Sequence, residues 1–397
     1  MPDSTTTPDA DHTESSLAAA RRIQSLAREH ADQSERQRQL ARPVVDAIAG
    51  AGLFNLVVSR SLGGTDALAP EFMEAVEIIS VADGSAGWCL MVGAVGNGMA
   101  GAWLAVPAGR ELFGADPQVV IASSITSGGR AQACPGGYRV SGRWRFASGV
   151  GHSAWIVSDC TIWDGEEQRK DAQGRPLVLM MLLPRAQCEV IDVWDVLGLC
   201  GTGSNDFAAE DVFVPSEHSF DLLGAPPAAP SRAYRMPLGC VLAPANAAVA
   251  LGIARGAIDT VLPIIARKTS FLAPTPLRAD PRVQMQLAEA EGRLRAARAF
   301  FFETIDTAQQ AAAGGGAVTQ RDAALVHLAS VHAGRRSAEV VDIAYTLAGT
   351  SAIARGSPLE RAFRDVHVVT QHLSLTDRLQ QDAGRVLLGL EPQEPFF

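Results

Sequence analysis

The sequence predicts a mostly α-helical protein with one β domain set into its middle, and three observations carry that prediction. Apolar residues recur at helical spacing up to about residue 107 and again after residue 231. Between about 117 and 220 the period shortens to two. Gly, Pro and Ala clusters mark the joints. With 397 residues, 47% hydrophobic and 19% charged, the chain can bury a sizeable core. The expected order is a disordered tail over 1–14, an N-terminal helical domain over 15–116, a middle β-barrel or sandwich over 117–223, and a C-terminal four-helix bundle over 224–397.

Leu40, Val44 and Ile48 recur every four residues, and Gly50 and Gly52 then punctuate the helix end. Met73, Val76 and Ile79 form a second stripe. No charge occurs between Asp83 and Arg110, a stretch long enough to span a bilayer. It is rich in glycine (84, 87, 93, 96, 98 and 101), carries Asn97 at its centre, and has no second segment like it. A helix enclosed on all sides by protein is therefore the stronger reading. In Tyr138–Phe146 the apolar Tyr138, Val140, Trp144 and Phe146 alternate with Arg139, Ser141, Arg143 and Arg145, the pattern of a half-buried strand. Residues 154–160, 177–183 and 207–214 are further strands. After the linker 224–231, Val283, Leu287, Ala290, Leu294, Ala297 and Phe301 form a heptad-like seam, and the small-residue run 311–317 separates two long helices.

A net charge of −9 and a pI near 5.4 argue against a nucleic-acid or anionic-membrane surface. The six cysteines form no CxxC pair, and the polar N-terminus has no apolar signal core, so reduced thiols in the cytoplasm are expected. Phosphate-loop, HExxH and GxSxG signatures are absent. Gly201-Thr-Gly203 lacks the last glycine of a dinucleotide fingerprint and precedes a strand-like segment. His327/His332 and His367/His372 are each five apart and share no helix face, so no metal site is expected.

Local motifs along most of the chain resemble those of the acyl-CoA dehydrogenase superfamily. They include Leu62-Gly-Gly64, Asp83-Gly-Ser-Ala-Gly-Trp88, and Phe146-Ala147-Ser148-Gly149 after its flavin-facing strand. Gly201-Thr-Gly203-Ser204-Asn205-Asp206, Arg267, Gly349-Thr350 and Arg364-Asp365 continue the pattern. The branch follows from what is missing. The family's dehydrogenases need a carboxylate base, commonly in a Glu-Gly-Thr shortly after the Arg-Asp pair, and that register falls on Leu373-Ser-Leu375. The alternative position is also empty, since no Asp or Glu lies between Asp221 and Asp259. His372, with the Phe-Ala-Ser-Gly and Gly-Thr-Gly-Ser-Asn-Asp motifs, resembles the two-component flavin monooxygenases of this fold.

That resemblance implies reduced flavin (FADH2 or FMNH2) delivered by a separate NAD(P)H-dependent reductase, O2, a C4a-hydroperoxyflavin and a small aromatic or heteroaromatic substrate of phenol or indole type. It implies that His372 is the base and that Ser148 donates to flavin N5 or the peroxide. Phe146, Ala147 and Ser123 would contact the flavin. Arg267 with Gly349 and Thr350 would reach the phosphate of a neighbouring subunit's flavin in a homotetramer. Trp88, Asn97, Thr202, Ser204 and Leu373 would line the substrate pocket.

Each residue has a plainer alternative: His372 a core or helix-end histidine, Ser148 a turn residue, Phe146 and Trp88 ordinary core, Asn97 a buried amide with a local partner. At the level of function the alternatives are an N-hydroxylase of an amine or amino sugar, a dehydrogenase with an unrecognised base, or a non-catalytic assembly subunit. Two departures stand out. Some relatives carry a histidine near Gly93–Gly96 and many an arginine where Cys200 stands.

Overall fold

The computed structural model describes residues 14–269 and 275–394; the expected tail lies outside the described residues except for its last position. Five helices come first: α1 (Ser16–Gln37), α2 (Arg42–Gly50), α3 (Ala69–Ser80), α4 (Gly84–Trp103) and α5 (Val106–Ala115). The uncharged stretch is α4. Asp83 caps it by accepting from the Ser85 N–H at 3.1 Å, and every residue but Val92 and Trp103 is buried. Its glycines let neighbours approach closely. A Cβ on Gly87 would stand 1.8 Å from Ser80 Oγ and one on Gly96 2.3 Å from the Ile121 carbonyl oxygen. Gly93 is hemmed in likewise by Phe54.

Eight strands follow: β1 (Ile121–Cys134), β2 (Gly137–Ala147), β3 (Trp155–Asp164), β4 (Glu167–Gln168), β5 (Val178–Pro184), β6 (Glu189–Ile191), β7 (Asn205–Pro215) and β8 (Ser219–Phe220). They form one mixed sheet in the order β6-β7-β2-β1-β3-β5-β8, with β4 on β3. β1 runs parallel to β3 and antiparallel to β2. β5 and β7, with three strands between them in that order, come within 8 Å between Cα atoms, so the sheet rolls onto itself in the manner of an open barrel. Its inner face holds a small core in which Trp144 stacks on Phe207, centroids 4.7 Å apart and planes 7° from parallel.

One element of the alternation fails. Trp144 faces the core as expected, but Phe146 is 52% exposed. The β2–β7 register shifts between Trp144 and Ala147, and Phe146 adopts φ 61°. A bulge turns its ring out of the core.

The C-terminal part has three long helices, α6 (Gly239–Arg267), α7 (Pro281–Ala313) and α8 (Gln320–Ala348), and two short ones, α9 (Pro358–Val369) and α10 (Asp377–Leu387). The expected fourth helix of the bundle is thus split, and His372 sits in the break. The seam on α7 is buried at every position but Leu287, which is half-buried. Among the described residues one helix, α6, is long and apolar enough to cross a membrane; it packs on α3, α8 and α9.

Asn97 holds the two layers together. Its Nδ2 donates to Asn55 Oδ1 (2.7 Å) and the Val119 carbonyl (2.8 Å), and its Oδ1 accepts from the Ile121 N–H (2.9 Å). Two of these contacts tie α4 to the approach and start of β1, and the third ties it to the turn after α2. Replacing Asn97 with Leu strands those groups in a dry interior and is expected to destabilise the fold by about 2–4 kcal/mol in urea or guanidinium unfolding.

Candidate active site

A cavity of about 1090 Å³ opens where α4, the end of β2, the loop before β7, α6 and the α9–α10 break converge. The bulge supplies one wall. Phe146 meets Trp194 edge-on (6.3 Å, 84°), and the Arg145 guanidinium lies 4.9 Å from the Phe146 ring centre. Trp88 reaches across from α4 and donates from Nε1 to Ser148 Oγ at 3.1 Å. Ser148 Oγ is 2.6 Å from Ser204 Oγ, which is 2.7 Å from Thr202 Oγ1, and Thr202 donates to the Leu199 carbonyl at 2.8 Å. Three hydroxyls and an indole thus form one buried chain along the wall.

His372 stands opposite, its ring 5.5 Å from that of Trp88 and nearly perpendicular to it. Its Nδ1 accepts from the Ser374 N–H at 3.3 Å, so the neutral ring carries its proton on Nε2. Burial against the cavity walls pushes its pKa down to about 4. A ring that is neutral at pH 7, with Nδ1 accepting from the backbone, presents its Nε2–H to the cavity as a donor. Ser148 has its proton engaged in the chain.

The structure brings most of the expected residues to this one cavity: Trp88, Ser148, Thr202 and Ser204 on the polar wall, Ser123 and Phe146 on the sheet side, His372 and Leu373 on the bundle side. Two expectations change. Asn97 does not line the cavity, because its amide is consumed by Asn55 and the β1 backbone. Ala147 points into the sheet core and offers only its backbone. Arg267 lines a separate shallow groove at the end of α6 with Lys268 and Ser351, beside Gly349 and Thr350. That groove and the cavity have no lining residue in common.

Sequence reasoning missed Trp194, and Met91, Val95 and Met99 of α4. The only signal for the last three was a run of flexible apolar residues on an uncharged helix. Cys200 donates to the Val196 carbonyl (3.2 Å) and lies beside Arg364, outside the cavity lining. The carboxylates at the cavity, Asp377 and Glu394, lie at its outer end, paired with Arg335 and Arg378. No cluster of potential metal ligands occurs among the described residues.

A helical shell, a rolled sheet at its centre, a helical bundle behind it, and a largely apolar cavity at their junction define a flavin enzyme of the acyl-CoA dehydrogenase fold. The sequence pattern of the acyl-CoA dehydrogenase C-terminal domain matches residues 245–377. The chain is 34% identical over 358 residues to indole-3-acetate monooxygenase of Pseudomonas putida, covering 90% of each protein. It is 31% identical to the oxygenase subunit HsaA of Rhodococcus jostii, covering 87% of this chain and 90% of that one. The crystal structure of the HsaA monooxygenase from M. tuberculosis superimposes with a TM-score of 0.86 at 26% identity, covering 97% of this chain and all of that one. The chain belongs to the flavin-dependent monooxygenases of the acyl-CoA dehydrogenase superfamily, enzymes that take reduced flavin and O2.

Three histidines, His327 buried and His152 and His372 half-buried, shape the acid response of this fold. His152, His327 and His372 are each pushed down to about 4 by burial, so on acidification the unfolded chain takes up protons first. Their contribution is intact above about pH 6.5 and is lost as pH falls towards 4. Burial raises Asp365 to about 7 and Asp83 to about 6, so these carboxyls act in the opposite sense. His152, packed near Phe54 with neither ring nitrogen hydrogen-bonded, isolates the histidine effect. His152→Phe is expected to gain on the order of 3 kcal/mol relative to wild type between pH 7 and pH 4, read from denaturant unfolding at the two pH values.

Proposed function

We propose that the protein is the oxygenase component of a two-component system and inserts one oxygen atom of O2 into a small planar aromatic or heteroaromatic compound of indole or phenol type. The carrying observation is the wall formed by Trp88, Ser148 and Ser204, facing His372 across a cavity whose carboxylates, among the described residues, are paired with arginines at its outer end. Proton abstraction from a thioester needs a carboxylate that this wall does not offer. A site of about 1090 Å³ that also holds a three-ring flavin leaves room for a substrate of one or two rings. The similarity to indole-3-acetate monooxygenase favours an indole over an amino sugar.

Reduced flavin supplies the electrons that activate O2. The chain's own residues do the rest. Phe146, turned out by the bulge, and Trp88 give the ring apolar faces, and Ser148 meets its polar edge near position 5. Met91, Val95 and Leu199 keep water away from the reacting atoms. His372 holds a substrate heteroatom by donation from Nε2. Arg267, with the Gly349–Thr350 backbone, binds a phosphate of the flavin seated in a neighbouring copy, which makes an oligomer the working form, a homotetramer on the family's pattern. The six unpaired cysteines suit a reducing cytoplasm.

Protein supplied with chemically reduced FAD or FMN and ¹⁸O2 is expected to convert an indole or phenol to a product carrying one ¹⁸O atom. Stoichiometric H2O2 with no labelled product from any aromatic or amine would sink the reading. Labelled products from amines alone would move it to N-hydroxylation. With burial pushing His372 down to about 4, kcat is expected to stay flat from about pH 5.5 to 8; an acid limb centred near pH 6.5 would show that burial does not depress it in the working enzyme. Arg267→Ala is expected to weaken flavin binding roughly tenfold while leaving the fold intact, measured by anaerobic titration.

A further inference from the structure

The buried hydroxyl chain has a fixed direction, because both of its ends are one-way groups. The Trp88 indole N–H can only donate, and the Leu199 carbonyl can only accept. Thr202 donates to that carbonyl, so its oxygen must accept from Ser204. Ser204 must then accept from Ser148, whose oxygen accepts from Trp88. Running the chain backwards would forfeit the bond from Thr202 to Leu199. Ser148, buried to 7% exposure on the cavity wall, has therefore spent its proton and keeps one lone pair.

We propose that this chain selects the oxidation state of the bound flavin by making Ser148 an obligate acceptor, with Ser204 and Thr202 as the positioning residues. The inference rests on the reading that Ser148 meets flavin position 5. Reduced flavin carries an N5–H that donates to the Ser148 lone pair. In oxidised flavin N5 is itself a lone pair, and the two acceptors face each other with no proton between them. The direction of the chain makes spent flavin the weaker ligand. That suits an oxygenase that hands its flavin back to a separate reductase for the next turnover.

Breaking the chain frees the Ser148 proton to turn towards the cavity. In Ser204→Ala it has lost its acceptor. In the nearly isosteric Thr202→Val the Ser148–Ser204 pair is free to reverse. The test is anaerobic titration of the full-length wild type and both variants with FAD and FMN in each oxidation state. Oxidised 5-deaza analogues, in which position 5 is a C–H, complete the set. Wild type is expected to bind reduced flavin more tightly than oxidised, and the 5-deaza analogue more tightly than oxidised flavin. In both variants oxidised flavin is expected to gain roughly tenfold in affinity, closing on its 5-deaza analogue, with reduced flavin little changed. If wild type separates flavin from 5-deazaflavin but neither variant narrows the gap, the chain does not set the direction and the inference falls. If wild type binds oxidised flavin and its 5-deaza analogue equally, the contact of Ser148 with position 5 is itself absent, and the inference falls with that reading.

Discussion

Leu199 is the residue on which the three parts of the molecule converge. It is held at φ 53°, a left-handed conformation that a branched side chain adopts only under constraint, and the constraint comes from both sides. Its N–H donates to Asp365 Oδ1 at 2.6 Å, and its carbonyl accepts from Trp194 Nε1 and Thr202 Oγ1. Asp365 belongs to α9, and its neighbours Arg361 and Arg364 both pair with Glu35 of α1. The Arg364-Asp365 pair is therefore less a surface ion-pair motif than the fixing for a loop. The same loop is pressed close to α1 and α4: a Cβ on Gly201 would stand 3.0 Å from both Ser34 and Ser85. The hydroxyl chain inherits its position from that clamp.

Two interruptions of regular structure then build the cavity. An unbroken β2 would place Phe146 on the same face as Trp144, inside the sheet core. The bulge gives up one ladder position and gains an aromatic face at the cavity. An unbroken helix beyond Val369 would leave no short turn to carry His372. The break after α9 places its ring edge against Trp88 and gives Nδ1 a backbone partner. Each irregularity is small, and each is held by packing on a regular neighbour, which keeps the geometry defined.

Electrostatics point the same way as shape. Burial drives His372 on the cavity wall and Asp365 beneath it towards their neutral forms, with His372 down to about 4 and Asp365 up to about 7. Between Trp88 and Thr202 the wall is a set of neutral donors and acceptors with assigned directions. Such a wall can orient a flavin and a substrate and exclude water, which is what oxygen chemistry on a reduced flavin requires.

The sequence by itself determined the order of helix, sheet and bundle, because the apolar period is a property of neighbouring residues. The enclosed helix over 84–103, the strand ending at Ala147 and the seam on α7 are all legible that way. The absence of a carboxylate at two positions was legible too, and it decided the branch of the family. β1 was not, because its Ser- and Gly-rich centre hides the alternation. Nor was the exposure of Phe146, which depends on a register shift against β7, a strand some sixty residues away. Asn97 and His372 could be seen as unusual but not placed. Whether a buried amide faces a ligand or a backbone, and which ring nitrogen of a histidine is already occupied, depends on atoms that only the fold brings within hydrogen-bonding distance.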